Sequence, residues 1–182
     1  MRAKTLCLIA LFAGLSAAGA FIRLEMPYIS FTFQTLFAVL AGMILGARRG
    51  VMSQIVYILI GLIGLPVFAK GGGLAYIAQP SFGYILGFPL CAAVSGTIMR
   101  KKTSVPARAV LRSLAASFAG FFSVYLIGLP YMYFCFILIG NAQTAGTVLL
   151  WGFSMVAAKD ALLAVAVGAI AYKTVPAIRK YV

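Results

Sequence analysis

At 182 residues the chain has room for one domain, and its composition is 64% hydrophobic against 9% charged, with a mean hydropathy of +1.09. Soluble proteins run at about 45–50% apolar, so a water-facing shell is excluded, and the implied solvent is a bilayer, where helices satisfy their own backbone hydrogen bonds. The formal charge of +13 falls in clusters between apolar stretches and forms no basic face with interleaved aromatics, which argues against a nucleic-acid partner.

A helix crosses about 30 Å of hydrocarbon with roughly 20 residues. On that ruler the sequence predicts a six-helix, all-α membrane bundle forming one integral membrane domain over residues 1–182. The first span, Leu6 to Ile22, follows Arg2 and Lys4 and is read as a crossing segment rather than an export signal, because the rest of the chain is equally apolar. Ile22, Leu24 and Met26 then alternate with Arg23 and Glu25, the period of a short strand or of an amphipathic interfacial segment. The second span, Phe33 to Leu45, is short and ends at "GARRG". The third, Val51 to Val67, leads into the glycine-bearing connection "AKGGGLAYIAQP". The fourth, Phe82 to Met99, is followed by the basic connection "RKKTSVPAR". The fifth, Leu114 to Ile139, contains Pro130, which removes a helical donor and predicts a kink or the end of the regular helix; "YMYFCFILIG" completes a tilted helix rather than a seventh span. The sixth runs from Val148 to Tyr172.

Charge placement supports an even number of spans. Arg2, Lys4, Arg48, Arg49, Arg100, Lys101, Lys102, Arg108, Arg112, Lys173, Arg179 and Lys180 share the side of both termini, whereas Arg23 and Lys70 lie opposite. By the positive-inside rule both termini are expected in the cytoplasm of a multi-pass cell-membrane protein. The two outward connections are also the longer and more aromatic ones, the kind that carry function.

Little in the chain suggests catalysis. Histidine is absent, and Cys7, Cys91 and Cys135 stand alone, so neither a metal site nor a cofactor is expected. Ser53, Ser95, Ser117 and Ser154 have only Lys159 as a conceivable base, so no enzyme is expected. The informative residue is Asp160, one of only two acids. It lies 13 residues before Lys173, about 20 Å along a helix, which puts it below the outer surface of the bilayer. A charge at mid-span costs about 2.5–3.5 kcal/mol and normally faces a bundle interior or a wet cavity. Its face continues through Ala164, Val167 and Ala171, small residues suited to close packing.

Lys159 is a poor partner on paper, because neighbours on a helix point about 100° apart. It either snorkels to the interface or reaches round into the same cavity. Asp160 is then tied to another helix or to Lys70 or Arg23, or it holds a ligand. Three glycines, Gly71, Gly72 and Gly73, beside Lys70 offer N–H groups and a cation to a small anion. With Gln34 at the outer start of the second span, these residues describe an outward pocket for a small polar molecule. Small residues at four-residue spacing, Ala10-Gly14-Ala18 and Ala13-Ala17 in span one and Gly42-Gly46 in span two, permit close helix contacts within the chain or with another protein.

Three segments in matching order, "FQTLFAVLAGMILGARRG", "GLIGLPVFAKGGG" and "QPSFGYILGF", resemble the BioY family, the biotin-specific S components of energy-coupling factor (ECF) vitamin transporters. The resemblance covers about Lys4 to Tyr172. It implies the six-helix S-component fold, capture of biotin from outside, and uptake with a transmembrane coupling subunit and two ATPases as partners. It also implies a pocket of Asp160, as acceptor for the ureido N–H groups, with Lys159, Gln34, Thr35, Tyr84 and the loop Lys70, Gly71, Gly72 and Gly73, and docking of the coupling subunit on Ala13 and Ala17. Many relatives read Pro-Gly-Asp-x-x-Lys in span six, whereas here Ala158-Lys159-Asp160 is followed by Leu163 at the place of that lysine. The glycine-rich loop is also one residue shorter than in relatives that carry an arginine there. Lys159 and Lys70 are the two candidates to replace those cations opposite the biotin carboxylate. No GxxxxGK[ST] sequence is present, so ATP-driven transport needs other chains. The alternative, an autonomous channel or secondary transporter, calls for coupling groups along a path through the membrane, and the inner halves of the spans hold no acidic residue.

Overall fold

The structure is a computed structural model that describes residues 3–25, 30–100, 105–138 and 145–178. Among the cations that set the predicted orientation, Arg2, Lys101, Lys102, Arg179 and Lys180 lie outside the described residues, as do Met26 and Ile139 at the ends of predicted elements.

Six helical rods make up the bundle. They are α1 (Ala3–Phe21), α2 (Gln34–Leu45), α3 (Ala47–Leu62), α4 (Phe82–Ile98), the pair α5 (Pro106–Ser123) and α6 (Tyr125–Leu138), and α7 (Ala145–Leu149), which a π-turn at Leu150–Ser154 joins to α8 (Met155–Ile178). Ala3–Phe21, Pro106–Leu138 and Gly146–Ile178 are long and apolar enough to cross a membrane, and Gln34–Leu45 and Phe82–Ile98 are apolar but shorter. Helix α4 is the hub, packing against α2, α3, α5 and α6, while α5 pairs with α8 and α1 lies against α2 and α3.

The alternating segment after α1 does form a strand. Arg23–Glu25 (β1) pairs antiparallel with Ser30–Thr32 (β2), Leu24 opposite Phe31. Proline 130 does not break its rod where it stands. Helix α6 runs through it, and the interruption falls at Val124, between α5 and α6. Val124 keeps a helical backbone at the interruption, so the two helices continue as one apolar rod, Pro106–Leu138, with no seventh span among the described residues. The fifth rod also starts at Pro106 rather than Leu114, since a proline at the first position already has the helical φ.

The two glycines of α2 have different tasks. At Gly42 an added Cβ would lie 2.2 Å from the Ala92 carbonyl oxygen of α4, so the close approach predicted for span two exists there. Gly46 has nothing within 4 Å and a φ of +83°; it makes the turn into α3 rather than a helix contact. Buried polar side chains add ties between rods. Ser113 Oγ donates to the Gly168 carbonyl at 2.6 Å, joining α5 to α8, and Ser16 Oγ donates to Gln54 Oε1 at 3.1 Å, joining α1 to α3. Such bonds matter in hydrocarbon, where lipid tails compete with apolar contacts but not with polar ones.

The two small-residue stripes of α1 face different ways. Ala13 is buried in the chain's own core and Ala17 packs against it. The other register, Ala10, Gly14 and Ala18, is exposed, with no atom of the described residues within 4 Å of a Cβ at Gly14. Both stripes have the same spacing, so sequence could not tell which faced inward.

Candidate functional site

A cavity opens at the end of the bundle where β2, the 62–82 connection and the starts of α2, α4 and α8 converge. About 530 Å³ of space, open solvent included, lies between its walls. Its lining mixes apolar side chains, Ile85 and Phe88 of α4, Val124 and Val156, with polar ones, Thr32, Gln34, Thr35, Tyr84, Lys159 and Asp160.

Asp160 occupies one stripe of α8 with Val156, Ala164, Val167, Ala171 and Val175, all buried, so helical periodicity alone turns the carboxylate toward the cavity. Only 3% of the residue is exposed, and an ion so placed needs compensation. Tyr125 supplies part of it, its hydroxyl donating to Asp160 Oδ2 at 2.5 Å. Lys159 supplies the rest, with Nζ 2.8 Å from Oδ1. That contact is an ion pair out of line with a hydrogen bond, and Oδ1 has no hydrogen-bond donor among the described residues. The expectation that Lys159 is a poor partner for its neighbour is therefore overturned. The 100° between adjacent helical positions is bridged by a four-carbon stem, and the ammonium is held in the cavity by donating to the Thr32 carbonyl at 2.9 Å.

Gln34 is 3% exposed. It accepts from Thr32 Oγ1 at 3.0 Å and donates to the Tyr57 hydroxyl, which in turn donates to the Val67 carbonyl at 3.1 Å. It thus joins β2, α2, α3 and the following connection into one polar network. Tyr84 donates to the Gly152 carbonyl at 2.8 Å. The π-turn that contains Gly152 immediately precedes the stretch carrying Lys159 and Asp160, as π-turns often do at functional sites.

The structure brings Asp160, Lys159, Gln34, Thr35 and Tyr84 to the cavity and leaves Lys70, Gly71, Gly72 and Gly73 outside its lining. The amides expected to face a ligand are used internally: Gly71 exchanges backbone bonds with Phe68 at 2.9 and 3.2 Å, and the Gly73 N–H donates to the Gly61 carbonyl at 2.8 Å. Positive φ at Gly71 and Gly73 and the 2.1 Å between a Cβ at Gly72 and the Leu65 carbonyl oxygen explain the glycines as loop geometry. What that connection gives the cavity is Ala69, Tyr76 and Ser81. Burial pushes the Tyr76 phenol above its ordinary value, so it presents an O–H at neutral pH.

Tyr125, Tyr76 and Phe88 were not legible as site residues. Tyr125 and Asp160 are 35 residues apart on different rods, a pairing no local spacing encodes. The one available signal was chemical, since a tyrosine buried in an apolar span usually needs a partner for its hydroxyl.

Comparison with known proteins agrees with this architecture. A model of the BioY family matches residues 1–180. The chain belongs to the BioY family. The probable biotin transporter BioY of Lysinibacillus sphaericus is 41% identical over 163 residues, 89% of this chain and 82% of that protein. The probable biotin transporter BioY of Pyrococcus horikoshii is 36% identical over 141 residues, 72% of this chain and 87% of that one. Among solved structures, the crystal structure of the S-component for biotin from an ECF-type ABC transporter superposes with a TM-score of 0.78 at 22% identity, covering 95% of this chain and 91% of that one. This BioY-family chain therefore has the six-helix S-component fold.

Replacing Tyr125 with Phe removes the hydroxyl donor to a buried carboxylate without changing the ring. The expected loss is about 1–3 kcal/mol of stability, read as a lower denaturation midpoint of the detergent-solubilised protein. An unchanged midpoint would show that Asp160 Oδ2 does not depend on Tyr125.

Proposed function

We propose that this chain, acting as one integral membrane domain, is the biotin-capturing subunit of an ECF-type transporter, and that the cavity at Asp160 is its biotin site. The observation that carries the reading is the buried Oδ1 of Asp160, ion-paired with Lys159 but without an aligned hydrogen-bond donor among the described residues, at a cavity lined by both polar and apolar side chains. Biotin's cyclic urea supplies N–H donors to such an oxygen, and charge-assisted bonds of this kind are about twice as strong as neutral ones. Its thioether ring and pentanoate chain suit Ile85, Phe88, Val124 and Val156. Thr35, Gln34 and Tyr84 complete the polar lining. The relatives' shared description as biotin transporters supports the ligand, since composition alone gives only a small polar solute with an apolar body.

The cavity faces outward and both termini lie in the cytoplasm. Lys4, Arg48, Arg49, Arg100, Arg108, Arg112 and Lys173 sit toward the opposite end of the rods from the cavity, as the positive-inside rule requires. ATPases and a coupling subunit are supplied by other chains. The coupling subunit docks on the exposed Ala10-Gly14-Ala18 face of α1, which takes the place of Ala13 and Ala17, because a close helix contact needs small residues that are not already covered.

Calorimetry of the purified protein is expected to give heat with biotin and none with thiamine or riboflavin. Asp160→Asn should weaken biotin binding at least about tenfold, the lower bound for losing a hydrogen bond to a charged group. Heat with thiamine and none with biotin contradicts the assignment. On the docking face, Gly14→Leu should abolish uptake in cells that supply the partner chains while leaving biotin affinity of the purified protein unchanged; normal uptake by this variant rules that face out.

A further inference from the structure

The sequence leaves two cations, Lys159 and Lys70, as candidates to meet a ligand carboxylate. The structure gives Lys159 a different position in the chemistry. Its ammonium spans two fixed acceptors, 2.8 Å from Asp160 Oδ1 and 2.9 Å from the Thr32 carbonyl oxygen, which is 127 residues away in sequence. Thr32 in turn donates through its hydroxyl to Gln34 Oε1 at 3.0 Å. The ammonium therefore stitches strand β2 and the start of α2 to helix α8 across the cavity, and at the same time neutralises the carboxylate.

This argument rests on the biotin reading. Biotin's urea and its carboxylate lie at opposite ends of the molecule, separated by the fused rings and a pentanoate chain. If the urea meets Asp160, the ammonium beside Oδ1 is at the urea end. To reach the carboxylate it would have to leave both acceptors and strip a buried anion of its counter-ion, the costly half of breaking a buried pair. We propose that Lys159 is a positioning residue that ties β2 to α8 and orients Asp160 for the urea, and does not pair with the ligand carboxylate. Its effect on binding is then blind to the charge at the far end of the ligand.

The test compares biotin with biotinol, its primary-alcohol analogue, on the wild-type protein and on Lys159→Met, by calorimetry and by dissociation rate. Lys159→Met keeps the aliphatic stem and removes the ammonium. The expected result is a loss of about tenfold for both ligands, in line with removal of one charge-assisted bond, appearing as faster dissociation, with the biotin-to-biotinol affinity ratio unchanged. Lys159→Gln keeps a polar, though shorter, side chain, guards against a folding failure of the methionine variant, and should leave the same ratio. Collapse of the ratio toward one in either variant, with biotinol affinity untouched, overturns the proposal and makes Lys159 the carboxylate partner. Absence of biotin binding in the wild-type protein overturns the underlying biotin reading, and the proposal with it.

Discussion

A carboxylate below the reach of bulk water must be neutralised by groups that the fold brings to it, and much of the cavity end of this bundle is organised around that requirement. Asp160 draws the Tyr125 hydroxyl from the junction of α5 and α6 and the Lys159 ammonium from its own helix. Through Lys159 the network extends to β2, and through Thr32 and Gln34 to α2, α3 and the connection beyond. Buried charge is weak evidence for stability, because replacing such pairs with apolar residues is often neutral or better. Its presence in a chain with only two acids accords with the proposed binding role, in which Oδ2 is held by Tyr125 and Oδ1, beside the Lys159 ammonium, meets the ligand.

The interruptions of helical regularity lie close to that site. The rod of α5 and α6 breaks at Val124, which lines the cavity, and the π-turn at Leu150–Ser154 lies just before Lys159 and Asp160. Tyr84 reaches the Gly152 carbonyl within that π-turn, so the wall of α4 is hydrogen-bonded to the irregular segment itself. Below the cavity the rods are regular, held by close approach at Gly42 and by serine hydroxyls on facing carbonyls. The regular part of the bundle positions, and the irregular part shapes the site, a division that keeps non-helical backbone where protein or a cavity can satisfy it.

Hydropathy and charge made the rods legible, because both follow directly from the cost of placing polar groups in hydrocarbon. Period-two alternation after Ile22 fitted β1 as well as an interfacial segment, and the inward face of Asp160, Ala164, Val167 and Ala171 followed from helical period. What failed depended on choices that period cannot make. Ala13-Ala17 and Ala10-Gly14-Ala18 have identical spacing, and only packing against α2 and α3 decides which is covered. The run Gly71 to Gly73 suggested anion-binding amides, yet those of Gly71 and Gly73 close the loop on itself. The angle between adjacent helical residues was correct for Lys159 and Asp160, but it describes Cβ directions, and a lysine stem is long enough to defeat it. Tyr125 was unreachable because its role exists only after two rods have met.

The central claim is that Asp160 keeps one carboxylate oxygen for the ligand. Asp160 is the chain's single aspartate, so protein grown with aspartate carrying ¹³C at the side-chain carboxyl reports on this group alone in an infrared difference spectrum. Addition of biotin should shift the labelled carboxylate stretch as Oδ1 gains donors. Saturating biotin binding with the labelled band unmoved would contradict the account.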